Sequence, residues 1–249
     1  TDNFRPIAST DIFRPHDAHP IAGGWTWFTH IEVMRRQGPS ERIAAKELSA
    51  DVLARITAPR PDLAGLGMGR PTIMGILNVT PDSFSDGGQH NTADKAVRQA
   101  AHMIEHGADI LDIGGESTRP GAVDVEIAEE IQRTAPVIEA IRKTSTVPIS
   151  IDTRKSQVAA EALKAGANLV NDVAAFSYDP DLAGVVSQTG APVCLMHAQG
   201  DPATMQKDPH YDNVLLDVYD YLERKVSEAE AAGSPRSRIM IDPGIGFGK

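Results

Sequence analysis

One chemical arrangement recurs along this chain: a short apolar run that ends in an amide, a carboxylate or an imidazole. Ile73-Met74-Gly75-Ile76-Leu77 ends in Asn78, and a loop of hydroxyls, carboxylates and glycines completes IMGILNVTPDSFSDGG over 73–88. Asp112, Asp152, Asn171 with Asp172, His197 and Asp242 close comparable runs downstream. Carboxylates and amides so placed can accept forked hydrogen bonds from a ligand or give oxygen to a hard cation. A rim of polar side chains supplied by strand after strand is how a barrel enzyme builds its active site. No Ser-His or Cys-His arrangement is recognisable, so no protein nucleophile is expected. His197 reads as a rim or structural residue and the mid-strand Cys194 as buried packing.

The elements that must position these groups follow from periodicity and punctuation. Strands are expected over 72–78, 108–113, 147–152, 167–172, 191–197 and 238–242, and helices over 92–106, 126–143, 155–165, 180–189 and 212–232. Gly107 and Gly166 stand where a left-handed residue would stop a helix. Runs such as Asp109-Ile110-Leu111-Asp112-Ile113 fit strands buried in a parallel sheet. Alternating strand and helix predicts an α/β fold with such a sheet. A doubly wound sheet concentrates its site at one switch point, whereas polar residues at every strand end favour a TIM (β/α)8 barrel. Six strands are found and a barrel needs eight, so the expectation is a barrel ending after its sixth strand at Lys249, or else another fold. Such a piece would leave strand edges unpaired and is not expected to be a fully competent enzyme alone. Residues 1–70 read as an N-terminal extension and linker, with a strand near 25–33 and a helix near 49–57, ahead of a barrel domain over 71–249.

Composition narrows the partners. The 249 residues carry a net charge of −10 with no basic block, which argues against nucleic acid or an anionic membrane as the main partner. No stretch approaches the ~20 apolar residues of a spanning helix, and the N-terminus lacks a signal-peptide apolar region. Cys194 is the single cysteine, which makes a reducing cytoplasm the simplest setting.

Three segments carry a family resemblance: Gly75–Gly88, Asp112–Gly121 (DIGGESTRPG) and Asp242–Lys249 (DPGIGFGK). With Ser150-Ile151-Asp152-Thr153, Val170-Asn171-Asp172 and Leu195-Met196-His197 between them, they closely resemble dihydropteroate synthase, the sulfonamide target of folate biosynthesis, over about 72–249. The resemblance implies a transferase that condenses 6-hydroxymethyl-7,8-dihydropterin pyrophosphate with p-aminobenzoate, releasing pyrophosphate. It assigns pterin binding to Asp152, Asn171 and Asp242, with Met196 against the ring face, and Mg²⁺ to Asn78. Thr118 and Arg119 would serve the reaction with Asp152, which would stabilise a developing methylene cation. Phe84, Pro120 and Thr118 would wall the aminobenzoate pocket, and Asp82 would order its loops through hydrogen bonds or a pairing with Arg119. It further implies lysine and Arg-x-His segments beyond the sixth strand and a homodimer for the full-length form.

Plainer roles compete for each residue. An isolated Asp after a strand can cap the next helix, an Asn can hold a turn, and a loop Arg can simply be solvated. A corrinoid-linked pterin methyltransferase shares the pterin-reading Asp and Asn, and a non-catalytic pterin-binding module would suit a shortened chain. The two loop motifs, suited to pyrophosphate and aminobenzoate, favour the synthase.

Overall fold

A computed structural model describes residues 2–80, 89–117, 124–200 and 208–249. Two compact units are formed, one from Thr1–Leu63 with Gly67–Pro71 and the other from Ala64–Leu66 with Thr72–Lys249.

The first unit holds more structure than its composition suggests. Strands β1 (Asn3–Pro6), β4 (His30–Met34) and β5 (Glu41–Ala44) form an antiparallel sheet with β4 in the centre. A small hairpin joins β2 (His19–Pro20) to β3 (Trp27–Phe28). The single strand expected over 25–33 is therefore two, broken at Thr29. The reason is a change of partner: Phe28 pairs with His19, while Met34 pairs with Asn3. Alternation along β4 buries Ile31 and Val33 with Phe28 and Ala45. Helix α1 (Ala50–Thr57) starts at Ser49, whose hydroxyl accepts the Val52 N–H.

The second unit alternates strand and helix throughout. In order it comprises β6 (Met74–Asn78), α2 (Gln89–Glu105), β7 (Ile110–Gly114), α3 (Ile127–Arg142), β8 (Ile149–Asp152) and α4 (Ser156–Ala165). It continues through β9 (Leu169–Asp172), α5 (Asp181–Thr189), β10 (Val193–Met196), α6 (Val214–Ala231) and β11 (Ile239–Asp242). The six strands are parallel and lie side by side in chain order, with no reversal. Most strands begin about two residues later than their apolar runs, because the residues after each helix-ending glycine finish the turn. Gly166, at φ 114°, is one such stop, and the next N–H, that of Ala167, bonds back to Ala162 O at 2.9 Å. Asp112, expected at a strand end, lies inside β7, which continues to Gly114.

Alternation gives the sheet two unlike faces. Leu77, Leu111, Ile113, Ile149, Ile151, Val170, Val193 and Leu195 pack on one side with helical residues such as Ala96, Ile138, Ala159 and Leu182 in one core. Each fully buried Leu or Ile there contributes about 2 kcal/mol. The other face carries the polar residues described below. Exposed Ile76 and Ile241 lie on the two outermost strands, β6 and β11.

The strand N-terminal ends are tied by Arg142, at the end of α3. Its guanidinium donates to Gly166 O at 2.8 Å and Val147 O at 2.6 Å, and also to Asn168 Oδ1. A Cβ at Gly166 would come within 2.9 Å of the Arg142 side chain, so glycine serves both the left-handed turn and this contact. Arg142→Ala should lower unfolding free energy by about 2 kcal/mol, the loss expected for charge-assisted hydrogen bonds to carbonyls. Urea denaturation measures this, and Arg142→Lys should recover little of it because an ammonium lacks the planar fork.

Candidate active site

Register alone gathers the site. Asn78, Gly114, Asp152 and Asn171 are successive partners across β6, β7, β8 and β9. Paired residues of a parallel sheet project from the same face, so these four form one row. Asp112 and Ser150 pair with each other two residues earlier, forming a deeper layer on that face. Cys194 continues the row from Asn171, and Met196 pairs with Asp242 nearer the strand ends. Gly114 contributes by lacking a side chain. A Cβ there would sit 3.4 Å from Asp152 Oδ2 and 3.6 Å from Asn78 Oδ1, in the space those oxygens border.

The polar groups on this face are only partly satisfied. Asn171 Nδ2 donates to Asp112 Oδ2 at 3.1 Å. Among the described residues, buried Asp112 Oδ1 and Asp152 Oδ1 meet no hydrogen-bond donor in good geometry, while Ser150 lies close enough to Asp112 to favour its ionised form. Unpartnered buried oxygens are uncommon in folded proteins and mark places where a ligand's donors can bind. Burial pushes the Asp152 carboxyl well above the ordinary aspartate range, and repulsion from Asp112, Glu130, Asp172 and Glu116 adds to it. Burial also raises Asp112. The Cys194 thiol on the same face is pushed up to about 12 by burial and by Asp242, Asp112, Asp172 and Asp152. Such a thiol stays protonated and unreactive.

Two other aspartates hold turns. Asp172, fully buried, accepts the N–H groups of Ala174 at 2.8 Å and Phe176 at 2.6 Å. It thereby secures a bend in which Ala175 and Phe176 both have positive φ, an uncommon conformation for non-glycine residues. Asp242 Oδ1 accepts Gly244 N–H at 2.7 Å, so this residue does cap a turn. Gly244 packs so closely that a Cβ would lie 2.0 Å from His197 O. Met196 is buried beside it. His197 is buried, stacks edge-on against Tyr221 and is bonded to Lys249 Nζ at 3.0 Å, an arrangement that favours packing over proton transfer.

Beyond β7 and β8 lies a different kind of polar cluster, in which acids and bases are matched. Glu116 accepts Arg154 Nη2 at 2.7 Å, Lys155 Nζ at 2.9 Å and Val125 N–H at 2.8 Å. Lys155 also donates to Glu130 at 2.7 Å and Val125 O at 2.6 Å. Arg154 reaches Asp124 at 3.0 Å and lies over the Tyr178 ring. Burial opposes the Glu116 charge, but the Val125 N–H, Arg154 and Lys155 outweigh it and hold the carboxyl below its usual range. Buried pairs of this kind persist when every partner is present, and removing one member typically costs about 3–5 kcal/mol.

The structure thus brings Asn78, Asp152 and Asn171 into one row and places Asp242 and Met196 on the same face. Thr118, Arg119, Pro120, Phe84 and Asp82 lie outside the described residues. Asp112 carried no assigned role in the sequence, although its place in DIGGES made it visible as a candidate. Arg154, Lys155 and Glu130 gave no local signal, because their partners lie far away in the chain. Among the described residues, no group of three or more His, Cys, Asp or Glu could by itself hold a metal ion. No helix among them is long and apolar enough to cross a membrane.

Residues 74–249 match the family model described as pterin binding enzyme. The dihydropteroate synthase of Escherichia coli K12 is 50% identical over 184 residues, covering 74% of this chain and 65% of that protein. The dihydropteroate synthase of Synechocystis is 46% identical over 180 residues, covering 72% and 62%. The chain therefore spans less than two thirds of the length of these curated relatives. Among solved structures, Xanthomonas albilineans dihydropteroate synthase with 4-aminobenzoic acid superposes with a TM-score of 0.69 at 48% identity, covering 77% of this chain and 68% of that one. The Burkholderia cenocepacia enzyme complexed with 7,8-dihydropteroate gives 0.65 at 45% identity, covering 74% and 62%.

The raised carboxyls set a direction for stability. A native carboxyl with a raised pKa binds more protons than the unfolded chain, so its contribution to stability falls as pH rises from the unfolded value near 3.9 through the native one. Asp152→Asn removes that loss. Its denaturation midpoint should exceed wild type at pH 7 and match it near pH 3, as followed by circular dichroism in urea.

Proposed function

The chain belongs to the pterin-binding enzyme family, and from that premise we propose that it forms part of a dihydropteroate synthase. The reaction joins 6-hydroxymethyl-7,8-dihydropterin pyrophosphate to p-aminobenzoate in folate biosynthesis. The observation that carries this reading is the row of oxygen acceptors on one sheet face, with Asp152 Oδ1 buried and, among the described residues, meeting no donor. A pterin edge presents an amino group and a ring N–H side by side, and a carboxylate accepts such a pair in forked geometry. Asp152, Asn171 and Asp242 bind that edge and Met196 packs on the ring. The names of the relatives support the same chemistry.

The substitution breaks the methylene carbon–oxygen bond, and its electron pair leaves with pyrophosphate. The aminobenzoate nitrogen donates its pair to the methylene carbon and then loses a proton. Asp152 stabilises positive charge on the dihydropterin as the bond breaks. Thr118 and Arg119 serve the departing pyrophosphate and the second substrate, Phe84 and Pro120 wall the aminobenzoate pocket, and Asp82 orders the loops.

The space bordered by Asn78 Oδ1 and Asp152 Oδ2 above Gly114 offers hard oxygen donors, which suits Mg²⁺. With so few protein ligands, Asn78 would hold an ion whose remaining positions go to water and phosphate oxygens. When bound, Mg²⁺ neutralises charge on the leaving pyrophosphate.

The parallel sheet in chain order supports a (β/α)8 barrel, closed when further strands cover Ile76 and Ile241. We assign residues 1–70 to an N-terminal extension and linker and 71–249 to the barrel domain. A cytoplasmic homodimer with small-molecule substrates completes the proposal. The whole synthase of which this chain forms part should release pyrophosphate from the pterin substrate only when p-aminobenzoate is present, and Asp152→Asn in it should lower kcat/KM about 100-fold or more. Pterin binding without release, or methyl transfer from a methylated pterin, would contradict the proposal.

A further inference from the structure

We infer that Asp112 is a positioning residue, holding the Asn171 carboxamide with its nitrogen toward the deeper layer so that the carbonyl oxygen is offered to a ligand. The inference deepens the pterin-binding reading and depends on it for the ligand's identity, although not for the geometry. Asp112 is only 5% exposed, and its Oδ2 accepts Asn171 Nδ2 at 3.1 Å. The bond passes from β7 to β9 across the intervening β8. Ser150, a small residue, is the β8 residue paired with Asp112 in that layer.

An ionised carboxylate only accepts hydrogen bonds, so it admits one of the two orientations of an amide and rejects the other. The two orientations have nearly the same shape. Among the described residues, the bond to Asp112 is what distinguishes them. With the nitrogen committed, the ligand meets acceptors from both Asn171 and Asp152, adjacent in register. That matches a ring edge with adjacent donors. A reversed amide would point its own N–H groups at those donors and leave both sides unsatisfied, the costly outcome for buried polar groups. Asp112 Oδ2 therefore governs discrimination between ligand edges through the Asn171 amide it holds.

The test compares 2-amino-4-oxopteridine with 2,4-dioxopteridine, in which a carbonyl replaces the amino donor. Binding of each to the full chain is measured by fluorescence titration. Asp112→Ala should reduce the wild-type preference for the amino compound about tenfold. Asp112→Asn, whose carboxamide can accept or donate and so no longer excludes the reversed Asn171 amide, should also lower the preference several-fold. In an Asn171→Ala background, Asp112→Ala should leave the ratio unchanged. A ligand-free readout accompanies these: the Asn171 side-chain amide signal in ¹H–¹⁵N spectra should be protected from exchange in wild type and lose protection in Asp112→Ala. Equal weakening of both ligands with the amide signal unchanged would overturn the inference, leaving Asp112 a structural residue. Loss of protection in Asp112→Ala, with neither pteridine bound by wild type, would support the positioning role while overturning the proposed ligand. Asp112→Asn carries the test if the alanine variant fails to fold.

Discussion

Asp112 and Asp152 are held on one face of a sheet that supplies no cation to either, and the rest of the second unit must offset that cost. Burial opposes the ionised form of each, and for Asp152 repulsion from Asp112 and other acids adds to it. The opposite face supplies the compensation: Leu111 and Ile113 on either side of Asp112, and Ile151 before Asp152, are fully buried against the helices. Because strand side chains alternate, the apolar residues that secure the sheet also fix where the acids project. Slipping the register by one residue would exchange the two sets, so the hydrophobic core enforces the polar geometry.

The two acidic clusters of this unit follow opposite rules. Around Glu116 and Glu130, each carboxylate meets Lys155, and Glu116 also meets Arg154, so charge is neutralised and the segment from Thr153 to Ser156 is anchored. On the row face, acceptor oxygens are left open. A matched cluster fixes the backbone, whereas an unmatched one retains capacity for a ligand. The matched cluster also joins Glu116 to the Val125 backbone, across nine positions of sequence.

Much of this was legible in the sequence, for local reasons. Apolar runs broken by Gly107 and Gly166 announced strands and helix stops because periodicity and left-handed turns act within a few residues. Asn78, Asp152, Asn171 and Asp242 could be nominated because each ends such a run. What stayed hidden depends on contacts between distant parts of the chain. The Asn171–Asp112 bond and the Glu116–Arg154 pair join different βα units, and Asn3 pairs with Met34 in the first unit. Asp112 was misplaced at a strand end because Gly114-Gly115 reads as the start of a loop, whereas Gly114 is the last residue of β7 and faces Asn78 and Asp152.

The central claim is that these buried carboxyls are kept unsatisfied so that a ligand can satisfy them. Carbon-13 NMR titration of the aspartate carboxyls, with and without a pterin, tests it most directly. The account predicts that Asp152 titrates well above the ordinary aspartate range in the free protein and that its pKa falls when the pterin's donors engage it. An ordinary Asp152 pKa, unchanged by pterin at saturating concentration, would contradict it.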